Sequence, residues 1–304
     1  MPQKSRFVLV VSGLTAAACL GAASQQAAPA FDGKRALDHV RQLVAIGPRP
    51  AGSPGAASAR DYIAREMSRV GLSVLEQTFE ADTPAGRITM VNLRVLLRGG
   101  SPTADGRLII AGHYDTKLFK EFTFVGANDG GSSAAFLIEL ARVLKDRTNA
   151  LPIELLFFDG EEAVNRDWEG DDNTYGSRHY VAAAEKDRTL SAIRALILVD
   201  MIGDRDLRVM REAYSTGWLT DLIWAAARRL ERPEFVDGET PIEDDHLPFL
   251  RAGVPAVDII DLDYPAWHTS ADTLDKVSAQ SLQAVGDVLL AALPSIEARL
   301  ADRR

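Results

Sequence analysis

Residues 153–162 have the sequence IELLFFDGEE, which indicates the class of fold. It begins as a short apolar run and ends in a cluster of acidic residues. A short apolar run that stops at Asp-Gly is typical of a strand buried on both faces, as in a parallel sheet. Three other runs have the same form, at residues 107–111, 195–199 and 254–260, and His or Asp residues follow each of them.

Helical patterns alternate with these runs, because apolar residues recur there every three or four positions. Two further segments alternate between apolar and polar residues, and a turn at residues 83–86 joins them. The predicted helices span residues 31–46, 54–70, 131–144 and 278–300, and the two further strands span residues 72–79 and 88–97. The alternation predicts a single α/β domain with a mixed, mostly parallel central sheet flanked by helices.

The composition excludes several classes of protein. The chain has 304 residues, of which 46% are hydrophobic and 25% charged, so it is neither fibrous nor disordered. The formal net charge is −9. An acidic protein lacks the basic surface that binds nucleic acid or anionic lipid, so we expect neither as a partner.

The first residues have the pattern of an export signal. Lys4 and Arg6 precede an apolar run over residues 7–20, and small residues follow. We therefore expect a signal peptide at about residues 1–24, a catalytic domain over residues 31–302, and a periplasmic or secreted location without stable membrane insertion. A membrane anchor, or a lipoprotein cut before Cys19, are the alternatives.

Cys19 is the single cysteine of the chain, which excludes an internal disulfide and any cysteine-rich zinc site. A metal must then be held by imidazole and carboxylate groups. Candidates follow the apolar runs, where the carboxyl ends of parallel strands meet at one edge of a sheet. They are His113, Asp115, Asp129, Glu161, Glu162, Asp200, Asp244, Asp245, His246 and His268.

Adjacent carboxylates at Glu161 and Glu162 are the most informative pair. Because neighbouring residues point in different directions, one can bind a metal while the other serves as a base. An acidic surface turn is the alternative. His113 and Asp115 lie two positions apart in extended chain, so the Asp can orient the imidazole, or simply close the strand with a hydrogen bond.

The remaining candidates each have a structural alternative. Asp129 precedes the helix predicted at residue 131, where it can act as a helix cap. Asp244 and Asp245 precede another short helical segment and can cap it. His268 stands alone in Trp-His-Thr, and a lone histidine is often structural.

Taken in order, the motifs GHYDTK, GANDGG, FFDGEEA, LVDMIGD, EDDH and WHTSADT resemble the zinc-dependent aminopeptidase family with two co-catalytic metals. Within that family the chain is most similar to the animal-type glutaminyl cyclases, from about Ala51 to Val277. The resemblance implies a zinc-aminopeptidase-like fold and an enzyme. It also implies a zinc ion held by Asp129, Glu162 and His268.

The two groups differ in what surrounds this zinc. In the aminopeptidases, Asp129 would bridge to a second zinc held by His113 and Asp200, whereas in the cyclases His113 and Asp200 serve a hydrogen-bond network. Asp244, an acid where aminopeptidases usually have Ser, is similar to the cyclases. The Trp before the zinc histidine is also cyclase-like.

The cyclase resemblance implies a transferase that converts the N-terminal Gln of peptides or proteins to pyroglutamate and releases ammonia. Glu161, Asp200 and Asp244 would be catalytic, and we expect a monomer with one zinc. The expected substrate-binding residues are His113, Trp168, Ile242, Tyr264 and Trp267, although the segment 163–175 is one residue longer than in the animal enzymes. The alternatives are a secreted two-zinc aminopeptidase and an inactive binding domain.

Overall fold

The structure is a computed structural model that describes Met1, residues 30–99 and residues 106–301. Apart from Met1, the signal peptide expected over residues 1–24 lies outside the described residues, as do Cys19 and the predicted end of the domain at residue 302. Within the described ranges, no helix combines the length and the apolar character needed to cross a membrane.

Six strands form the central sheet, and two more form a small separate sheet. The strands are β1 (Leu75–Thr83), β2 (Gly86–Leu97), β3 (Arg107–His113), β4 (Ile153–Phe158), β5 (Ile193–Asp200), β6 (Val209–Glu212), β7 (Phe235–Thr240) and β8 (Ala256–Ile260). The central order is β1-β2-β4-β3-β5-β8. Strands β4, β3, β5 and β8 are parallel, while β1 and β2 add an antiparallel edge. The mixed, mostly parallel sheet is therefore confirmed.

Seven helices are found among the described residues. They are α1 (Gly33–Ile46), α2 (Pro54–Arg69), α3 (Gly131–Leu144), α4 (Tyr175–Lys186), α5 (Gly217–Arg229), α6 (His246–Arg251) and α7 (Ala279–Ala301). The four predicted helices are present within a few residues of their expected bounds. Helices α4, α5 and α6 were not predicted.

Helices cover both faces of the sheet. Leu108 and Ile110 of β3 belong to the apolar cluster beneath α1, α3, α5 and α7, whereas Ile109 and Ala111 belong to the cluster beneath α4 and α6. Successive side chains of a strand point to opposite faces, so a strand buried on both is apolar at most positions. This explains the continuous apolar runs in the sequence.

The carboxyl ends of the parallel strands lie together at one edge of the sheet. His113 at the end of β3 is in register with Phe158 at the end of β4, and Asp200 at the end of β5 is in register with Ile260 of β8. The polar clusters that follow these strands are thus brought to one place, as expected for an open α/β sheet.

Candidate metal centre and active site

Three side chains from three separate loops converge at this edge. Asp129 precedes α3, Glu162 follows β4, and His268 follows β8. His268 Nε2 lies 3.4 Å from Asp129 Oδ2 and 3.3 Å from Glu162 Oε2. One ligand atom from each lies within 4.8 Å of the others.

This triad fits a zinc ion. In a tetrahedral site with bonds of about 2.0–2.1 Å, neighbouring ligand atoms are about 3.3–3.4 Å apart, which matches the distances from His268. The two oxygens that face His268, Oδ2 of Asp129 and Oε2 of Glu162, are buried and have no hydrogen-bond partner among the described residues. Although burial opposes a charged imidazole, Asp129 and Glu162 raise the pKa of His268 to about 10, so the carboxylates favour a cation at this point.

A second cluster adjoins the triad and shares Asp129. His113 Nε2 lies 3.3 Å from Asp129 Oδ1 and forms a 3.1 Å hydrogen bond with Asp200 Oδ1. These three side chains also offer ligand atoms within 4.8 Å of one another. The cluster differs from the triad because a hydrogen bond already joins two of its members.

Asp115 holds the two adjacent glutamates in place. Its Oδ1 accepts the backbone N–H of Glu161 at 3.2 Å, and its Oδ2 accepts that of Glu162 at 3.3 Å. Asp115 Oδ1 is also 3.4 Å from His113 Nδ1, so it contacts the imidazole as the sequence spacing suggested. One buried carboxylate thereby sets the backbone of both glutamates.

Asp272 has the same role for Asp129. Its carboxylate accepts the backbone N–H of Asn128 at 2.9 Å and of Asp129 at 3.2 Å, and the Tyr264 hydroxyl donates to it at 2.7 Å. The cap of α3 is Gly130, and no side chain in the described structure caps this helix. Asp129 is therefore held for contact with the two histidines rather than used as a helix cap.

Glu161 is buried beside the triad. Its Oε2 lies 3.6 Å from His113 Nδ1. Burial raises the pKa of Glu161 well above its usual value; the charge of His113 opposes this, and those of Glu162 and Asp244 add to it. A carboxyl group with a raised pKa can both accept and donate a proton near neutral pH.

Asp244 adds a further buried acid. Burial, and then the nearby charge of Asp200, raise the pKa of Asp244 well above its usual value. Asp245 is the capping residue of α6, but its side chain does not cap the helix and instead accepts a hydrogen bond from Ser177. The alternative in which these two acids only cap a helix is thus not what the structure contains.

A cavity of about 490 Å³ opens onto the triad. Trp168 and Ile242 line it, together with Trp267, whose ring stacks on that of His268 at 4.3 Å and remains 42% exposed. An aromatic wall beside acidic groups suits a small polar side chain carried by a longer molecule. The other predicted site residues that line the cavity are Asp129, Glu161, Glu162, Asp200, Asp244 and His268.

Two predicted substrate-binding residues lie elsewhere. Tyr264 and His113 are not among the described residues that line the cavity. Tyr264 is buried, and its hydroxyl donates a hydrogen bond to Asp272. His113 is buried as well, in contact with the carboxylate of Asp200. Their expected contact with a substrate stays a prediction, and the observed contacts are those of positioning residues.

Two residues of the segment KLFKEFTF, at residues 117–124, belong to the site although neither was among the predicted site residues. Phe119 lines the cavity, with its ring edge-on to that of His268 at 5.7 Å. Lys117 is buried, and its Nζ donates to the carbonyls of Ala163 and Asn165, just beyond Glu162. The aromatic residues that follow GHYDTK were the available signal for Phe119.

Comparison with known proteins connects this geometry to a family. Residues 92–293 match peptidase family M28. The glutaminyl-peptide cyclotransferase of Gloydius blomhoffii is 32% identical over 289 residues, which cover 80% of this chain and 76% of that protein.

Solved structures give the same result. The glutaminyl cyclase of an Acidobacteriales bacterium has a TM-score of 0.84 and 40% identity, covering 91% of this chain and 98% of that one. A leucine aminopeptidase precursor from Bacteroides thetaiotaomicron VPI-5482 has a TM-score of 0.79 and 26% identity, covering 88% and 98%. Both kinds of enzyme thus share the architecture described above.

Proposed function

The chain belongs to peptidase family M28 and, within it, to the glutaminyl-peptide cyclotransferases, and on this premise we propose that it cyclises the N-terminal glutamine of peptides. The α-amine attacks the γ-carboxamide carbon of the same residue. A carbon–nitrogen bond forms, the bond to the amide nitrogen breaks, and the products are a pyroglutamyl peptide and ammonia. Because the nucleophile belongs to the same residue as its target, the effective concentration is already high.

The triad supports a metal-assisted reaction. Asp129, Glu162 and His268 are the proposed ligands of one zinc ion, which when bound supplies a Lewis acid for the γ-carbonyl oxygen. Asp272 and Asp115 hold two of these ligands through backbone hydrogen bonds. These two ligands are therefore held in place independently of any ion or substrate.

Glu161 is the proposed proton carrier. It accepts a proton from the attacking amine and returns it to the departing nitrogen, which leaves as ammonia. The raised pKa of its buried carboxyl suits both steps. His113, 3.6 Å away, fixes one side of the carboxylate.

Asp244 and Asp200 are proposed to hold the leaving amide through a hydrogen bond. Both line the cavity, and two buried acids this close seldom ionise together, so one can keep its proton and act as a donor. The aromatic wall of Trp168 and Trp267, with Ile242, would surround the glutamine side chain while the peptide extends outward.

The observation that carries the proposal is the buried carboxylate of Glu161, which is not part of the metal triad but lies beside it. In that triad, Asp129 and Glu162 each have one buried oxygen without a hydrogen-bond partner among the described residues. The test is mass spectrometry of a Gln-initiated peptide after incubation with the zinc-loaded protein. We expect loss of one ammonia and no backbone cleavage. The same peptide with N-terminal Asn, whose side chain is one methylene shorter, is the control and should stay unchanged. An unmodified Gln peptide would refute the proposal.

A two-zinc aminopeptidase is the second candidate, and the cluster of His113, Asp129 and Asp200 is the observation that favours it. In that case water would attack the first peptide bond, with Glu161 as base, and a free amino acid would appear. The similarity to glutaminyl-peptide cyclotransferases supports the cyclase instead. Zinc stoichiometry, one or two ions per chain, separates the two candidates.

We also propose that the enzyme is exported and acts as a monomer. The amino-terminal pattern of Lys4, Arg6 and the following apolar run supports export, with lipidation at Cys19 as the variant form. The described residues of one chain supply every group that the reaction requires. Sizing of the purified protein and mass analysis of its mature amino terminus test these two points.

A further inference from the structure

A second group of buried titratable side chains lies behind Asp244, away from the cavity. Asp258, in the middle of β8, and His246, at the start of α6, are both fully buried. Neither carboxylate oxygen of Asp258 has a hydrogen-bond partner among the described residues, and the same holds for Oδ2 of Asp244. Unpaired buried oxygens are costly, so their arrangement calls for a physical explanation.

The group forms a continuous chain from the small sheet to the cavity. Asp258 lies within hydrogen-bonding reach of Asp244 on one side, and its Oδ2 is 3.7 Å from His246 Nδ1 on the other. His246 Nε2 is 3.0 Å from Glu212 Oε2, at the end of β6. Glu212 in turn accepts the backbone N–H of Ile242, which lines the cavity.

The charges around Asp258 decide its state. The acids that face it are Asp244, Asp200 and Glu212, and the nearby imidazole of His246 is already paired with Glu212. Burial, and then the charges of Asp244 and Asp200, raise the pKa of Asp258 well above its usual value. Two ionised carboxylates cannot hydrogen-bond each other, so one proton between them satisfies otherwise unpaired oxygens.

We propose that Asp258 is protonated and donates a hydrogen bond to Asp244. Asp258 would thus be a positioning residue that holds Asp244 toward the cavity. His246 and Glu212 close the far side of Asp258 and anchor the strand end from which the loop at residues 241–245 departs. Asp258 itself does not line the cavity, so it acts on the reaction only through Asp244. The effect on catalysis rests on the proposed cyclase function, whereas the shared proton does not.

The test compares Asp258→Asn with Asp258→Leu. The Asn amide still donates a hydrogen to Asp244, so we expect kcat within about threefold of the unchanged enzyme. Leu has a similar volume and no donor, and loss of such a partner costs about 10- to 100-fold in activity. The loss should fall on kcat, with KM nearly unchanged, because Asp258 does not contact the substrate.

Asp261→Asn is the matched control. Asp261 is also buried and lies just beyond β8, but its oxygens accept the backbone N–H groups of Arg208 and Asp263. Its replacement should lower thermal stability and leave kcat unchanged.

A second measurement is independent of activity. Infrared spectroscopy of the unchanged protein at neutral pH should show the band of a protonated carboxyl group that disappears in Asp258→Asn. An unchanged band overturns the shared proton, and equal losses of kcat in the Asn and Leu variants overturn the positioning role. If Asp258→Leu does not fold, the infrared band and the kcat of Asp258→Asn still test the proposal. An inactive unchanged enzyme that still has the band refutes the cyclase function and not the pairing.

Discussion

Replacing Asp115 by Asn should disturb the base and a proposed zinc ligand at once. Asp115 accepts the backbone N–H groups of Glu161 and Glu162 with separate oxygens, at 3.2 Å and 3.3 Å. In Asn one of these oxygens becomes an amide nitrogen, which cannot accept, so one buried N–H loses its partner. An orphaned buried donor costs about 1–3 kcal/mol of unfolding free energy. Partners that orient metal ligands typically contribute about 10- to 100-fold to metal affinity or activity.

The assays are thermal unfolding, zinc affinity by competition with a chelator, and kcat/KM for ammonia release from a Gln-initiated peptide. We expect the melting temperature, the zinc affinity and kcat/KM all to be lower in Asp115→Asn. The matched control is Asp172→Asn, because Asp172 also accepts two consecutive backbone N–H groups, those of Val164 and Asn165. That control should lose stability and retain zinc affinity. Normal zinc affinity and kcat in Asp115→Asn would show that this carboxylate does not hold the site.

Four further outcomes are expected. Glu161→Gln should keep zinc affinity and lower kcat by about 10²- to 10⁴-fold, and full residual turnover would exclude Glu161 as the proton carrier. Tyr264→Phe removes the hydroxyl that donates to Asp272, so thermal unfolding should register a loss of about 0.5–1.5 kcal/mol. Its KM should not change, and a raised KM would restore Tyr264 as a substrate contact. Burial, together with the negative charge of nearby Asp115, raises the pKa of Asp159 to about 7. The native state therefore holds this proton more tightly than the unfolded chain, and the associated stability is lost as pH rises through about 7. The free energy of unfolding, measured with denaturant, should therefore fall between about pH 4 and pH 7, and it should fall less in Asp159→Asn. Parallel pH profiles of the two proteins would contradict this. Removal of zinc by a chelator should lower the melting temperature, because an ion that binds only the folded triad stabilises it; an unchanged temperature would argue against a bound metal.

The architecture is readable in the sequence because local patterns carry it. A strand buried on both faces is apolar at most positions, so the apolar runs alone identify residues 107–111, 153–158 and 195–199 as core strands. The helix at residues 131–144 has the bounds that its long apolar face predicts. The short helix α6 carries only six residues and no such signal.

The site is only partly readable. The triad residues were identified because the motifs that contain them resemble those of a known family, and each alone had a structural alternative. The contacts of Phe119 and Lys117 were not predicted, since the course of the loop at residues 117–124 depends on distant segments, such as the carbonyls of Ala163 and Asn165 that Lys117 contacts. The same holds for Tyr264, whose aromatic side chain suits a pocket wall as well as it suits the observed bond to Asp272.

Residue types and their order along the chain thus suffice to specify which chemistry is available: carboxylates and imidazoles at the ends of apolar strands, with no thiolate after Cys19. Which carboxylate binds, which accepts a proton and which only holds a neighbour is decided by tertiary structure. Asp115, Asp129, Glu161 and Asp258 are all acids in the sequence, and they differ in which donors surround them in the fold. Burial and hydrogen bonding set the charge of each one, and both depend on segments far apart in the chain.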